Sequence, residues 1–333
     1  MWHKLIKILH FFLVGIVLSG CIAAPNVLNP RSSVASSEAG LYNVVLVIAA
    51  GVFVLVEGGL IFTIIKHRRK RGDTSEPEQI SGNTTLEIIW TAIPAVLVIT
   101  LFILTLNTMQ AVAAPPPSKG DLNVVVIGHR WWWEFDYPDL GIKTADELHI
   151  PAGVTVQITL QSADVIHSFW IPQLTGKTDV IPGQTNHTWL NVPGIGTYSG
   201  QCSEFCGIEH ANMRFNVIVQ SAADFQTWVV DQQQPAPAPQ TDLEKAGAQI
   251  VTQGICSACH TVDGTAAQGK IAPNLTHLYS RSIFAGGIAP LTDANLQAWV
   301  MDSAAMKPGS LMASVHVSQQ DIDKIMAYLK TLK

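Results

Sequence analysis

Cys202-Ser-Glu-Phe-Cys206-Gly-Ile-Glu-His210-Ala-Asn-Met213 puts two thiols, an imidazole and a thioether within twelve residues. Such a soft ligand set suits copper. A single-copper site of the blue type needs one Cys. A second Cys four residues on lets two thiolates bridge two metals, spreading one electron over both ions and keeping reorganisation small. A second imidazole must then come from elsewhere, and His167 in Asp164-Val-Ile-His167-Ser-Phe is the candidate. Two other readings stay open on these residues. Cys202 and Cys206 could form a disulfide in an oxidising compartment, or a tetrahedral zinc site could form, although zinc prefers a Cys/His set without Met. His210 or Met213 taken singly would be packing; the spacing of all four carries the copper reading.

The ligand stretch lies between β-type runs. Segments 122–127, 154–160, 188–192 and 215–219 are short, rich in β-branched residues and separated by Gly/Pro turns. The spacing predicts a β-sandwich or barrel over 120–230. This middle region is acidic, with twelve Asp/Glu against four Lys/Arg between Asp121 and Asp231. That balance suits a basic protein partner steered by long-range attraction, and ordinary solubility charge accounts for it equally well. Asp231-Gln-Gln-Gln-Pro-Ala-Pro-Ala-Pro-Gln240 follows as a semi-rigid linker over 231–240.

Past the linker the signals turn helical, and Asp/Glu and Lys/Arg balance at seven each between Asp242 and Lys333. Thr241-x-x-Glu244 and Ser318-x-x-Asp321 have the form of capping boxes. Ile322, Ile325, Met326, Leu329 and Leu332 share one face of the last helix. Cys256-Ser-Ala-Cys259-His260 is the C-x-x-C-H attachment motif of a c-type haem. Its thiols form thioethers with the vinyl groups, and the adjacent His is placed to ligate iron. The sixth ligand of an electron carrier is expected to be Met, which raises the potential. Met301, Met306 and Met312 are the candidates, and His277 and His316 are expected at the surface.

Toward the N-terminus the chain is apolar. Charged residues make up 14% of the whole and apolar ones 48%, which points to a membrane protein and away from a disordered or nucleic-acid-binding one. Segment 1–20 has the charged start and short apolar run of a signal peptide. It ends in Leu18-Ser19-Gly20-Cys21, which resembles a bacterial lipobox with Cys21 as lipidated N-terminus. Two spans, 42–65 and 86–106, are long enough to cross a bilayer. Lys66-His67-Arg68-Arg69-Lys70-Arg71 between them marks the cytoplasmic side. Both termini and the soluble domains then face out of the cytoplasm of a bacterial plasma membrane. Glu57 lies deep in the first span, where a carboxylate is protonated or paired.

On these residues two resemblances stand. From 42 to about 230 the chain resembles subunit II of haem–copper cytochrome c oxidases, a two-helix hairpin followed by a cupredoxin with a dinuclear CuA centre. C-S-E-x-C-G-x-x-H-x-x-M and D-V-x-H-S-F carry it. The resemblance implies as ligands His167, Cys202, Glu204 through its carbonyl, Cys206, His210 and Met213. It also implies a magnesium site, shared with subunit I, that the Glu204 carboxylate faces. Gly128-His129-Arg130-Trp131-Trp132-Trp133 resembles the family's aromatic stretch, whose first Trp, here Trp131, receives electrons from cytochrome c. Without the resemblance, three Trp at a strand end read as packing. Glu87, three residues before Trp90, matches the glutamate at the mouth of a proton channel in A-type oxidases; by itself it reads as interfacial. Segment 241–333 resembles a small class I cytochrome c. Lys307-Pro308-Gly309-Ser310-Leu311-Met312 matches that family's K-P-G-x-x-M and selects Met312, although Ala313 replaces the usual following Pro and keeps Met306 in play. Pro273-Asn274-Leu275 resembles the segment whose Pro carbonyl accepts the proximal His N–H.

The expected fold is therefore multidomain: a two-helix transmembrane hairpin, an all-β cupredoxin and an all-α cytochrome c domain. The expected function is the electron-accepting subunit of a cytochrome c oxidase, carrying one covalent haem c and dinuclear copper. Its partners would be subunit I, other oxidase subunits and an external donor, a cytochrome or a cupredoxin. Dioxygen reduction and proton translocation then belong to the complex, because two spans cannot house a dioxygen-reducing centre. A CuA-bearing subunit of a nitric oxide reductase-like complex and a free-standing membrane-anchored electron carrier are the alternatives.

Overall fold

The computed structural model describes residues 26–69, 72, 74, 76, 79, 81–113, 115, 121–312 and 318–333. Segment 1–20, Cys21, Lys70, Arg71, Ala313 and His316 lie outside the described residues.

Helices α1 (Ser33–Lys66) and α2 (Thr84–Ala113) pack on each other, and both are long and apolar enough to cross a membrane. At 1.5 Å per residue they reach about 51 and 45 Å, against a hydrocarbon core of about 30 Å. Each contains the span expected from apolarity and runs beyond it at both ends. Their large apolar side chains, Phe53, Leu55, Ile65, Val98 and Phe102 among them, are exposed on the protein, as lipid-facing side chains are. Pro94 lies within α2. The Asn83 carboxamide oxygen accepts the Leu86 N–H and caps α2, with Glu87 in its first turn.

The second unit holds the remaining elements. Ten strands form two five-stranded sheets: β1 (Leu122–His129), β2 (Trp132–Tyr137), β3 (Ile142–Ala145), β4 (Glu147–Pro151), β5 (Thr155–Ser162), β6 (His167–Ile171), β7 (Thr175–Val180), β8 (Asn186–Asn191), β9 (Gly196–Cys202) and β10 (Arg214–Gln220). The sheet orders are β3-β2-β1-β5-β8 and β4-β10-β9-β6-β7. Alternation builds the core between them: Trp133, Phe135 and Tyr137 point inward from β2, while Trp132, Glu134 and Asp136 stay part-exposed. Trp133 meets Phe169 and Phe215 edge-on, and Phe169 stacks on Phe215 at 4.8 Å. All four expected strand segments fall on β1, β5, β8 and β10.

After β10, helix α3 (Ala222–Gln232) covers the edge strand β4, with Trp228 stacked on His149 at 4.4 Å. The Pro-rich stretch beyond it is tied down: the Ala236 N–H donates to the Asp263 carbonyl, and the Gln233 carboxamide donates to the Leu140 carbonyl. Helices α4 (Asp242–Gln253), α5 (Asp293–Met301), α6 (Ser303–Met306) and α7 (Gln319–Leu329) complete the chain. The Thr241–Glu244 capping box forms, and the Ser318 hydroxyl caps α7 through the Asp321 N–H. Helices α4 and α7 cross at Gly247, where a Cβ would stand 2.0 Å from the Lys324 carbonyl oxygen.

The last domain is helical, as expected, with one small hairpin in which Ile283–Phe284 (β11) pairs with Ala289–Pro290 (β12). Its turn holds Ala285, Gly286 and Gly287 at φ 53, 75 and 70, a backbone region glycine reaches without a steric penalty. One expectation needs correction: His277 is not at the surface. It is buried, with Nδ1 2.7 Å from the Lys333 carbonyl oxygen and Nε2 3.0 Å from that of Gln234, so it fastens the chain end to the linker.

Candidate metal centre and haem site

Eleven residues separate β9 from β10, and the loop is closed at its base by the Cys202 N–H donating to the Met213 carbonyl at 2.9 Å. This brings the side chains of Cys202 and Cys206 together with their sulfurs 3.7 Å apart, both buried and neither in a disulfide. His210, in the short 3-10 turn His210–Asn212, places Nδ1 3.6 Å from the Cys206 sulfur. The Met213 sulfur lies 3.8 Å from the same atom. From β6, His167 brings Nδ1 to 3.9 Å from the Cys202 sulfur. The Glu204 carbonyl oxygen is 3.3 Å from that sulfur, and the Glu204 carboxylate points elsewhere, 3.7 Å from Lys177 Nζ. All six residues expected at the copper site are thus brought together around one sulfur pair.

The electrostatics suit a cation. The two thiols share a proton: accepting from Cys206 lowers the Cys202 pKa, and donating to Cys202 pushes Cys206 up. A sulfur pair this close holds one negative charge readily and the second only when a cation is bound. His167 is fully buried, and burial opposes its protonation, but its bond to Asp164 outweighs that and raises its pKa. Asp164 Oδ1 lies 2.8 Å from His167 Nε2. With its Nε2–H held there, the ring turns Nδ1 toward the sulfurs, as a metal-ligating imidazole requires. Burial also works against the Asp164 carboxylate, yet its bonds from His167, Val165 N–H and Arg130 N–H hold it at about 2.

The second site rests on Cys256, Cys259 and His260, at the end of α4. Both cysteines are free thiols. Cys256 lies in the 3-10 turn Ile255–Ala258, and the His260 N–H donates to the Cys256 carbonyl. His260 Nδ1 is 2.7 Å from the Pro273 carbonyl oxygen, so Nδ1 carries the hydrogen and Nε2 the lone pair. Burial lowers the His260 pKa and keeps the ring neutral. Ile255, Ile271 and Leu311, neighbours of these residues and of Met312 in the chain, are large apolar side chains left exposed, at 66%, 69% and 69%. Two thiols, a neutral imidazole and exposed apolar side chains fit a covalently held porphyrin. Met306 ends α6, and the Ser303 hydroxyl holds the Met312 carbonyl at 2.7 Å.

Trp131 is buried against the copper loop, its indole N–H donating to the Cys206 carbonyl at 3.0 Å. Glu87 stands apart, in the helical hairpin. Reading the sequence missed three contributors. Asp164 was visible only as part of a motif, and its hold on His167 is a geometric fact. Lys307 was read as part of the K-P-G segment, yet its side chain is buried and leaves its own domain. Gly286 sits in a hairpin whose two-residue strands are too short to show a period, although the Gly286-Gly287 pair was a turn signal.

Known families match three stretches of the chain. Residues 140–222 match the family described as the periplasmic domain of cytochrome c oxidase subunit II, residues 26–108 its transmembrane domain, and residues 244–333 cytochrome c. Cytochrome c oxidase subunit 2 of Alkalihalophilus pseudofirmus is 34% identical, covering 100% of this chain and 98% of its own length. The protein of the same description from Bacillus subtilis is 35% identical, covering 98% and 97%. Among solved structures, the periplasmic domain of subunit II of cytochrome oxidase from Bradyrhizobium japonicum is 31% identical, with a TM-score of 0.34 over 35% of this chain and 96% of its own.

Proposed function

The chain belongs to the cytochrome c oxidase subunit II family, and from this we propose that its cytochrome domain accepts electrons from an external donor and its β-sandwich hands them to a separate subunit I, where dioxygen is reduced to water with proton translocation. One observation carries the proposal: two free, buried thiols 3.7 Å apart, flanked by two imidazoles and a thioether, in the same compact unit as a C-x-x-C-H segment with a carbonyl-anchored His. When bound, a dinuclear copper centre and a c-type haem supply one-electron redox chemistry at these positions.

The residues divide the work. Cys202 and Cys206, with His167, His210, Met213 and the Glu204 carbonyl, would hold the copper. Asp164 fixes the His167 ring. Cys256 and Cys259 would hold the haem covalently, and His260 and Met312 would ligate its iron. Trp131 joins the donor side to the copper loop through its bond to Cys206. The Glu204 carboxylate, facing away from the sulfurs, would offer a ligand to a magnesium ion shared with subunit I. Glu87, in the first turn of α2, stands at the mouth of a proton path in subunit I. Helices α1 and α2 anchor the chain with both soluble domains outside the cytoplasm, and a lipid on Cys21 adds a second anchor.

Purification of the tagged chain in mild detergent tests the proposal. The expected result is co-purification of a many-span subunit with haem and cyanide-sensitive dioxygen uptake, together with a near-infrared copper band. Cys202→Ser should abolish that band and leave the haem c spectrum intact. A lone red protein with no partner subunit, or a copper band that survives Cys202→Ser, contradicts it.

A further inference from the structure

We propose that Lys307 is a positioning residue that fastens the cytochrome domain onto the copper-ligand loop, so that the two redox sites work from one docked arrangement and not by encounters on a tether. The inference rests on the electron-transfer reading above.

Lys307 belongs to the segment that carries Met312, but its ammonium leaves that domain. It is 3% exposed and donates to the carbonyl oxygens of Trp131 at 2.7 Å, Asn212 at 2.8 Å and Ala285 at 2.7 Å. An ammonium has three N–H donors, and each finds one acceptor. Two of the three acceptors lie in the β-sandwich, and Asn212 immediately precedes the ligand Met213. A lysine is normally a surface side chain, and its burial is costly unless the protein replaces its water. Burial brings its pKa down to about 8 against the pull of Asp146 and Glu209, so at neutral pH it keeps its charge and all three donors.

Two further contacts converge on the same spot. The Gly286 N–H donates to Asp146 Oδ2 at 2.7 Å and the Gly286 carbonyl accepts the Arg214 N–H at 2.8 Å, while Asp146 Oδ1 accepts the Trp133 N–H at 3.0 Å. Gly286 has φ +75, and a Cβ there would stand 2.3 Å from the Trp131 carbonyl oxygen and 2.6 Å from Lys307 Nζ, so the junction admits glycine alone. On the other side of Lys307, a Cβ on Gly309 would stand 2.5 Å from Ile208 Cδ1 and 3.4 Å from the Trp131 ring. Segment 307–312 therefore lies directly on Ile208 and Trp131 of the copper side. Ser282 adds a fourth point, its N–H donating to Glu147 Oε1 at 2.8 Å and its hydroxyl to the same oxygen.

A flexible linker by itself raises the effective concentration of two domains and leaves their orientation free. Here the polar groups of Ser282, Gly286 and Lys307 are satisfied only in one orientation. The step served is a transfer of one electron: the His260 side is oxidised by one electron, the Cys202–Cys206 side is reduced by one, no bond forms and no proton is needed. With docking already complete, its rate is independent of domain motion.

The test uses the full chain in the purified oxidase, with haem c and near-infrared copper bands verified, and has two readouts. Hydrogen exchange reports the Gly286, Ser282 and Arg214 amides, and the oxidation rate of haem c is followed as solvent viscosity is raised. In the wild type the amides are protected and the rate does not respond to viscosity. K307M keeps the length of the side chain but leaves three carbonyls without a donor. It should speed exchange at Gly286 and Arg214 about tenfold or more, slow haem c oxidation by a similar factor and make it viscosity-dependent. Unchanged exchange in a folded K307M overturns the proposal, as does a viscosity-dependent rate in the wild type. S282A, which removes one peripheral hydroxyl, gives a milder version of the same change should K307M fail to fold; no change at the Gly286 and Ser282 amides in it counts against the latch. A wild-type oxidase without a copper band overturns the functional reading instead, and exchange at Gly286 still decides the docking.

Discussion

Asp164→Asn isolates the support of His167, one of the proposed copper ligands. The carboxylate takes three hydrogen bonds: His167 Nε2–H at 2.8 Å, Val165 N–H at 2.6 Å and Arg130 N–H at 2.7 Å, with the Arg130 guanidinium 3.6 Å away. An amide has one oxygen, so either orientation sets its NH2 against a donor. With NH2 on the Arg130 side, it opposes a main-chain N–H. With NH2 on the other side, it opposes Val165 N–H and drives His167 to the other tautomer, whose hydrogen then sits on Nδ1, the nitrogen facing the Cys202 sulfur. A charge-assisted hydrogen bond contributes about 1.5–3 kcal/mol, which is about ten- to a hundredfold in an equilibrium constant. Loss of a ligand's supporting partner costs metal affinity in the same range. The assay is competition with a copper chelator on the purified oxidase, with the haem c band as internal reference. Copper should be stripped from Asp164→Asn at about ten- to a hundredfold lower chelator concentration while haem c is unchanged. Equal retention in variant and wild type would show that Asp164 does not hold the ring.

Met312→Ala should remove the weak absorption band of Met–iron ligation in the oxidised protein, and its persistence there with loss in Met306→Ala would transfer the role to Met306. Gly247→Ala pushes a methyl to 2.0 Å from the Lys324 carbonyl oxygen, far inside contact distance; thermal unfolding followed at the haem band should show a loss of about 1–3 kcal/mol despite the better helix propensity of Ala. For Glu147, burial opposes the charge, but the His149 ring 3.8 Å away and the bonds from Ser282 outweigh it and hold the pKa below 4.5. A carboxylate with a depressed pKa stabilises the folded state fully above its unfolded value and loses that contribution as pH falls through the folded one. Protection of the Ser282 amide should therefore fade below about pH 4.5, and in Glu147→Gln it should be weaker throughout and lack that acid step; identical acid profiles would remove Glu147 from the junction.

The clustering of the proposed copper and haem residues was legible because ligand chemistry fixes spacing. Four soft donors in twelve residues, or two thiols and an imidazole in five, leave few other uses for the pattern. His167 lies 35 residues before Cys202 and was found by asking what the first four donors lacked. The helix ends were less legible. Apolarity marks the part of a helix that meets hydrocarbon, whereas α1 and α2 continue into Ser-, Asn- and Gln-containing stretches whose helicity is set by the turn before them. His277 was misplaced because a lone histidine outside any ligand spacing reads as exposed, and only the folded chain brings the Lys333 and Gln234 carbonyls to it.

Lys307 escaped for a different reason, and the reason bears on how this chain is built. Its partner Trp131 is 176 residues away, and main-chain carbonyls leave no mark in a sequence. The strand β4 shows the same dependence from the other side. It is a sheet edge, which ordinarily needs charge, a bulge or a cover to remain unpaired in water. All five of its residues are buried, Glu147 included at 1% exposure. A buried carboxylate is tolerable only with donors, and two of those for Glu147 come from Ser282 in the cytochrome domain. Asp146 beside it is fully buried, which raises its pKa, and one of its two main-chain donors is Gly286 of that same domain. Both acidic side chains of the sandwich edge therefore have their polar requirements completed across the junction, as does the lysine that crosses it. The β-sandwich and the cytochrome domain are separate by pattern along the chain, but at Asp146, Glu147, Gly286 and Lys307 neither satisfies its own polar groups without the other.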